Sequence, residues 1–328
     1  MPLKWYLRVP FFICFRSNGD YPCGKLSVRQ ISVNIVILGP GAIGTLWATK
    51  LSLSGHNVAV WSTSNDHNLS LQLDELPAIQ FDNRDIFSIK QADLLLVTVK
   101  AWQVESALEP LKAFIAPETM ITLMHNGMGT AEWACDTFPG NPLLLATTTH
   151  GAYKPTKQQV IHTGLGLTKI GGVNRLGKQC HFLQPVLQHA LPEVTWCDNI
   201  EHALWSKLAV NCAINPLTAI FQVKNGELAS EQYKNQLINV IEEVFQVMNA
   251  CSIPVEKSTL ESTVHQVISA TAENFSSMKQ DIHYQRKTEI DFITGYLLKQ
   301  AKIHNIQAPE NQALYTQIHH IEQSWKSQ

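Results

Sequence analysis

The stretch VNIVILGPGAIGTLWATKLSLSGHNVAVWS, residues 33–62, constrains the fold of this chain more than any other. Val33 to Leu38 is a short, β-branched apolar run of the kind that forms a strand buried on both faces of a parallel sheet. GPGAIG follows at 39–44. Ile43, Leu46, Trp47, Leu51 and Leu53 then mark a helix, and NVAVW resumes a second strand. A G-x-G-x-x-G alone is a weak motif, but here it directly follows a strand and opens a helix, the context that dinucleotide binding requires. Gly39 permits the tight turn, Gly41 lets the backbone approach a pyrophosphate, and Gly44 lets helix and strand pack closely. The helix N-terminus supplies N–H donors and a positive dipole end. The unit predicts a bound dinucleotide rather than a structural turn alone.

Further strands follow in ADLLLVTVKAW (92–102), TMITLMHNG (119–127) and PLLLATTTHGAY (142–153), with a helix through Val104, Leu108 and Leu111 after the first. VIHTGLGLTKIGG reads as antiparallel hairpin material and EVTWC as a last short strand. Strands alternating with helices predict an α/β fold with a Rossmann-type doubly wound parallel sheet. After residue 198 the pattern becomes helical and strand-poor, with helices expected over 201–219, 230–250, 256–273, 289–304 and 310–324. The predicted organisation is therefore a dinucleotide-binding sheet domain at 33–198 and an all-helical C-terminal domain at 199–328. Residues 1–32 hold Lys4, Arg8, Arg16, Lys25 and Arg29 against the single acid Asp20. VPFFICF is too short for the apolar run of a signal peptide. The segment reads as a non-core leader, such as an upstream start assigned in error, with an organellar-targeting role as the alternative.

Of the 328 residues, 45% are apolar and 16% charged, and the net charge of −2 gives no basic footprint for nucleic acid. No stretch approaches the ~20 apolar residues that span a bilayer. The seven cysteines are scattered, odd in number and without a CxxC pair, which predicts reduced thiols in a cytoplasmic protein rather than a disulfide framework or zinc site.

Which dinucleotide the loop holds turns on the end of the second strand, where NAD readers place an acid for the ribose 2′-OH. Here it reads Trp61-Ser62-Thr63-Ser64, with Asp66 a little later. That leaves room for a 2′-phosphate, although no arginine lies locally to clamp it. Hydroxyls, loop N–H groups and Lys100 from the next strand end are the remaining candidates, so NADP is favoured.

KLAVNCAINPLTAI, residues 207–220, sets Lys207, Asn211 and Asn215 at i, i+4 and i+8, on one face of an otherwise apolar helix. Such a helix is central, and a buried ammonium with two carboxamides is costly unless they meet polar partners. A cleft facing a polar ligand supplies them. Pro216 is expected to bend or break the helix just after Asn215. In ENFSSMKQDIHYQRKTEID (273–291), Ser276, Ser277, Lys279 and Gln280 read as a loop. Thr288 reads as an N-cap with Asp291 three residues on, placing Glu289 in a first helical turn, where the dipole favours a carboxylate. His125 and His150 end two strands at the ligand edge, with no role assigned. No HExxH, clustered carboxylate, GxSxG or P-loop pattern occurs.

GPGAIG, LLLVTVKAWQV, HNGMGT, TTTH, LWSKLAVNCAINPLTAI, NGEL, ATAENFSSMKQDI and TEIDFITGYLL, taken in order, resemble the ketopantoate reductases (2-dehydropantoate 2-reductases) of pantothenate biosynthesis, over roughly 33–325 and in their enterobacterial form in particular. The resemblance implies a substrate cleft between the two domains and NADPH as hydride donor to the C2 carbonyl of ketopantoate, with no metal. It places the proton-donating lysine on Lys207 and the active-cleft glutamate on Glu289, which would anchor the substrate hydroxyl or the lysine. Substrate contacts fall on Asn126, Asn211, Asn215, Asn225 and Ser277. Cofactor contacts fall on Gly39, Pro40, Gly41, Ala42, Ile43, Gly44, Lys100, Asn126, Ala152 and Glu289. Relatives of this type carry an arginine after the second strand that meets the 2′-phosphate; here that position is Thr63. The protein is expected to act on a small molecule as a monomer or homodimer, and its charge and hydropathy point to neither nucleic acid nor membrane as partner. Two alternatives stay open: reduction of another branched 2-oxo acid, and a non-catalytic dinucleotide sensor.

Overall fold

The computed structural model describes residues 32–325; the leader assigned to 1–32 lies outside them, save for Ser32. In chain order the first half runs β1 (Asn34–Leu38), α1 (Ala42–Leu53), β2 (Asn57–Trp61), β3 (Asn68–Leu73), β4 (Ile79–Asp82), α2 (Ile86–Gln91), β5 (Leu94–Val97), α3 (Val104–Leu108), β6 (Met120–Leu123), α4 (Ala131–Thr137), β7 (Leu143–Thr148), β8 (Gly151–Tyr153), β9 (Gln159–Gly164), β10 (Thr168–Gly172), α5 (Leu183–Ala190) and β11 (Val194–Trp196). The second half is helical: α6 (Ile200–Phe221), α7 (Glu231–Ala250), α8 (Lys257–Ala270), α9 (Ser277–His283), α10 (Thr294–Ile303) and α11 (Pro309–Ser324).

The main sheet has the order β11-β10-β7-β6-β5-β1-β2. The five strands from β2 to β7 are mutually parallel; β10 runs antiparallel to β7, and β11 is parallel to β10. Period-2 alternation builds two cores from the same strands. Ile35, Ile37, Leu94 and Leu96 pack with Leu46, Trp47 and Leu51 of α1 and Leu187 of α5. Val36, Leu38, Leu95 and Val97 pack with Ile89 of α2, Leu108 of α3 and Ala134 of α4. Helices on both faces explain why LLLV at 94–97 is unbroken apolar sequence: it has no solvent side. The result is an α/β fold of Rossmann type followed by a helical region.

The structure departs from the sequence reading in five places. PLLLATTTHGAY is two strands, because the chain leaves the main sheet after Thr148 and β8 joins a separate sheet of order β4-β3-β9-β8. VIHTGLGLTKIGG is not a hairpin, since β9 pairs with β3 and β8 while β10 pairs with β7. Pro216 does not end its helix: α6 continues to Phe221 and closes on Gln222 at φ 57. Packing of α7, α8, α9 and α11 around α6 outweighs a proline cost of about 3 kcal/mol. Residues 277–283 form α9 rather than a loop, because the Ser276 hydroxyl accepts the Lys279 N–H at 3.0 Å and caps a new helix. Finally, Glu289 precedes a 3-10 turn at 290–292 rather than sitting in the first turn of a helix, which starts only at Thr294.

The helical half has its own core, centred on Trp205, Leu208, Cys212, Ala213 and Leu217 of α6. This explains why α6 is apolar nearly all round. Burial pushes the thiols of Cys180 and Cys212 up to about 12, so both pack as apolar groups. Among the described residues no helix is long and apolar enough to cross a membrane.

Candidate active site

A cleft of about 2020 Å³ runs from the glycine loop, past the ends of β2, β5, β6 and β7, to the polar face of α6 and the segment around α9. A single small-ligand pocket typically occupies about 300–1,000 Å³, so the space suits two ligands side by side. The glycine loop lies where the strand order reverses, with β2 on one side of β1 and β5 on the other.

Gly39 has φ +90 and donates its N–H to the Trp61 carbonyl at 2.9 Å, which sets the loop beside the end of β2. A Cβ on Gly44 would stand 2.3 Å from the Gly39 carbonyl oxygen, so only glycine lets α1 approach. Gly41 is different: the nearest atom to a Cβ there would be 4.0 Å away. It forms the N-cap of α1 with no side-chain cap and no acid in the first turn, leaving backbone donors and open space for an anion. These features fit a dinucleotide pyrophosphate. Pro40, Ala42, Ile43 and Ala152 line the same end. Lys154, which sequence reasoning missed, donates its ammonium to the Pro40 carbonyl at 2.7 Å, and burial lowers its pKa. Its only signal in the sequence was its position just past a strand end.

Lys207, Asn211 and Asn215 all line the cleft. The Lys207 ammonium donates to the Thr148 carbonyl at 2.8 Å at the end of β7. Part of the side chain faces the open cleft, yet burial dominates at the ammonium and lowers its pKa to about 8, against the opposing pull of Glu289. Asn215 is buried, and neither its carboxamide nor that of Asn211 hydrogen-bonds to any described residue. Asn225 gives its amide to Thr271 at 2.9 Å while its buried Oδ1 has no partner among the described residues. Ser277 lines the cleft from the exposed start of α9.

Glu289 is buried and reaches across to the sheet half. It accepts the Ala101 N–H at 3.1 Å and the Asn126 amide at 3.1 Å, and lies 3.5 Å from the Lys100 ammonium. Asp281 of α9, also missed in the sequence, is the closer partner of Lys100 at 2.5 Å. Burial opposes the Lys100 charge, but Glu289 and Asp281 together raise its pKa above the ordinary lysine value. Burial raises the Asp281 carboxyl despite Lys100 and Arg286. Nothing local in QDI marks Asp281 as a site residue, because Lys100, its partner at the cleft, is far along the chain. Burial lowers the pKa of His125. Its Nδ1 faces the Asn126 carbonyl at 3.0 Å and its Nε2 the Thr130 hydroxyl at 2.8 Å, so Nδ1 carries the proton.

Two family models match this chain: ketopantoate reductase PanE/ApbA over residues 35–175, and ketopantoate reductase PanE/ApbA C terminal over 199–322. The chain belongs to the ketopantoate reductase family. A 2-dehydropantoate 2-reductase of Vibrio cholerae serotype O1 is 51% identical over 293 residues, covering 89% of this chain and 99% of that protein. One from Escherichia coli O157:H7 is 41% identical over 298 residues, covering 90% and 97%. Among solved structures, a probable 2-dehydropantoate 2-reductase from Bacillus subtilis is 31% identical with a TM-score of 0.72, covering 88% of this chain and 99% of that one. In this ketopantoate reductase family member the two matched regions meet at the cleft. The first brings the glycine loop, Lys100 and Asn126; the second brings Lys207, Asn211, Asn215, Asn225, Ser277 and Glu289.

Proposed function

We propose that this protein reduces 2-dehydropantoate (ketopantoate) to pantoate with NADPH, in the cytoplasm, at the cleft between a sheet domain (33–198) and a helical domain (199–328). The observation that carries the reading is Lys207: an ammonium lowered to about 8, on one face with two carboxamides that have no described protein partner. NADPH, when bound, supplies the hydride that reduces the C2 carbonyl. Gly39 to Gly44, with Lys154 beside them, hold the pyrophosphate at the start of α1. Lys207 donates a hydrogen bond to the C2 oxygen and gives it a proton as negative charge develops there. A proton donor titrating near the working pH is well matched to that step. Asn211 and Asn215 orient the substrate carboxylate and hydroxyl, while Asn225 and Ser277 close the far end of the cleft.

Glu289 positions rather than protonates. Its carboxylate ties Lys100, Ala101 and Asn126 to the helical half, and its charge favours the protonated form of Lys207. Adding ketopantoate to protein and NADPH should consume NADPH and yield pantoate. A higher kcat/KM for another branched 2-oxo acid would displace the substrate assignment, and no consumption with any 2-oxo acid would displace the enzyme assignment.

A further inference from the structure

Position 63 holds a threonine, but an arginine from elsewhere in the chain, Arg84, reaches the turn after β2. Arg84 follows β4, and its backbone N–H donates to the Val60 carbonyl at 3.1 Å, fastening it to β2. Its neighbour Asn83 is buried and organises the turn after β2. The Asn83 carboxamide accepts the Ser62 N–H at 3.0 Å and donates to the Ser64 and Asp66 carbonyls at 3.2 and 2.6 Å. The Ser62–Asp66 turn and Arg84 are therefore one unit. The Arg84 guanidinium lies 3.4 Å from the Ser62 carbonyl and 5.7 Å from the Trp61 ring centroid, and it makes no ion pair with a described carboxylate. Trp61, Ser62, Thr63, Ser64 and Arg84 all line the cleft at the end that Gly39 joins to Trp61.

We infer that Arg84, at the turn after β2, is the residue that selects the 2′-phosphate of NADPH. A dinucleotide held at the glycine loop places its adenosine ribose over the end of β2. A planar guanidinium fork suits a phosphate there, and Ser62, Thr63 and Ser64 bring hydroxyls to the lining of the same cleft. Lys100, the other cation considered for this role, is already engaged by Asp281 and Glu289. Asp66 is the competing reader. Its carboxylate accepts the Ser64 hydroxyl at 2.5 Å, and in an NADH-selective protein it would face the ribose 2′-OH.

The inference rests on the NADPH reading above, and calorimetric binding separates the two. The variant Arg84→Asn suits the site because Arg84 has φ 58, a region asparagine enters readily. Full-length wild-type and variant protein are titrated with NADPH and with NADH. Wild type should bind NADPH at least about 10-fold tighter than NADH. The variant should lose about 10- to 100-fold in NADPH affinity while NADH affinity moves by less than about twofold, at an unchanged melting temperature. A variant that keeps the wild-type preference overturns the role of Arg84 and leaves NADPH standing. A wild type that binds NADH as tightly as NADPH overturns both and points to Asp66.

Discussion

An ammonium inside an apolar helix is held there at a cost, and the cost is visible in how easily it gives up its proton. In solution a lysine titrates near pH 10.4, whereas Lys207 is lowered to about 8 by burial, with Glu289 pulling the other way. If the charged form is the proton donor, activity is full while Lys207 is protonated and falls as pH rises through its folded-state value. kcat/KM for ketopantoate should therefore decline above about pH 8, tenfold per unit at the limit. A flat profile to pH 10 would show that the proton comes from elsewhere. Replacing Glu289 with Gln removes the charge that favours protonation and should move this limb to lower pH.

At the scale of elements, α9 shows how few atoms decide a local structure. Ser276 caps it by accepting the Lys279 N–H, and the same hydroxyl meets the Thr218 hydroxyl at 2.7 Å, joining α9 to α6. Ser276→Ala should cost about 1–2 kcal/mol, read as a lower urea midpoint at unchanged slope. An unchanged midpoint would mean the cap contributes nothing. The sequence concealed this helix because ENFSSMKQ is polar and short, and a serine cap reads the same in a turn. β1, α1, β2, β5 and β6 were legible for the opposite reason: LLLV and VNIVIL have no polar side and fit only a doubly covered sheet. β3 and β4 were not, since NLSLQL and IQFD are half polar, and their sheet is completed only by β9, distant in the chain. At the site, the face shared by Lys207, Asn211 and Asn215 follows from helical spacing alone. Asp281, Lys154 and Arg84 do not, because each acquires its neighbour only when the chain folds back on itself.

Taken whole, the molecule has separate cores in its two halves, spanned at the cleft by α6 packing on β7 and β10 and by a small set of charged contacts. Lys100 to Asp281 and Glu289 is the charged contact that ties β5 to the helical half. Asp281 is almost fully buried, so Asp281→Asn leaves Lys100 with one more distant carboxylate. Stability should fall by about 1–3 kcal/mol, with a broader thermal transition as the halves unfold less cooperatively. Ligands that bind across the cleft should restore it: NADPH and pantoate at 100 times their dissociation constants each add about 2.7 kcal/mol. A variant as stable as wild type would remove this contact from the account of how the halves are held.

The most direct test is the turnover of Lys207→Ala with ketopantoate and NADPH, measured beside NADPH binding to the same protein. The account predicts that kcat falls by about 10²- to 10⁴-fold while NADPH binds as in wild type, because Lys207 serves the substrate oxygen and the glycine loop serves the dinucleotide. Near-normal turnover with intact NADPH binding would contradict it.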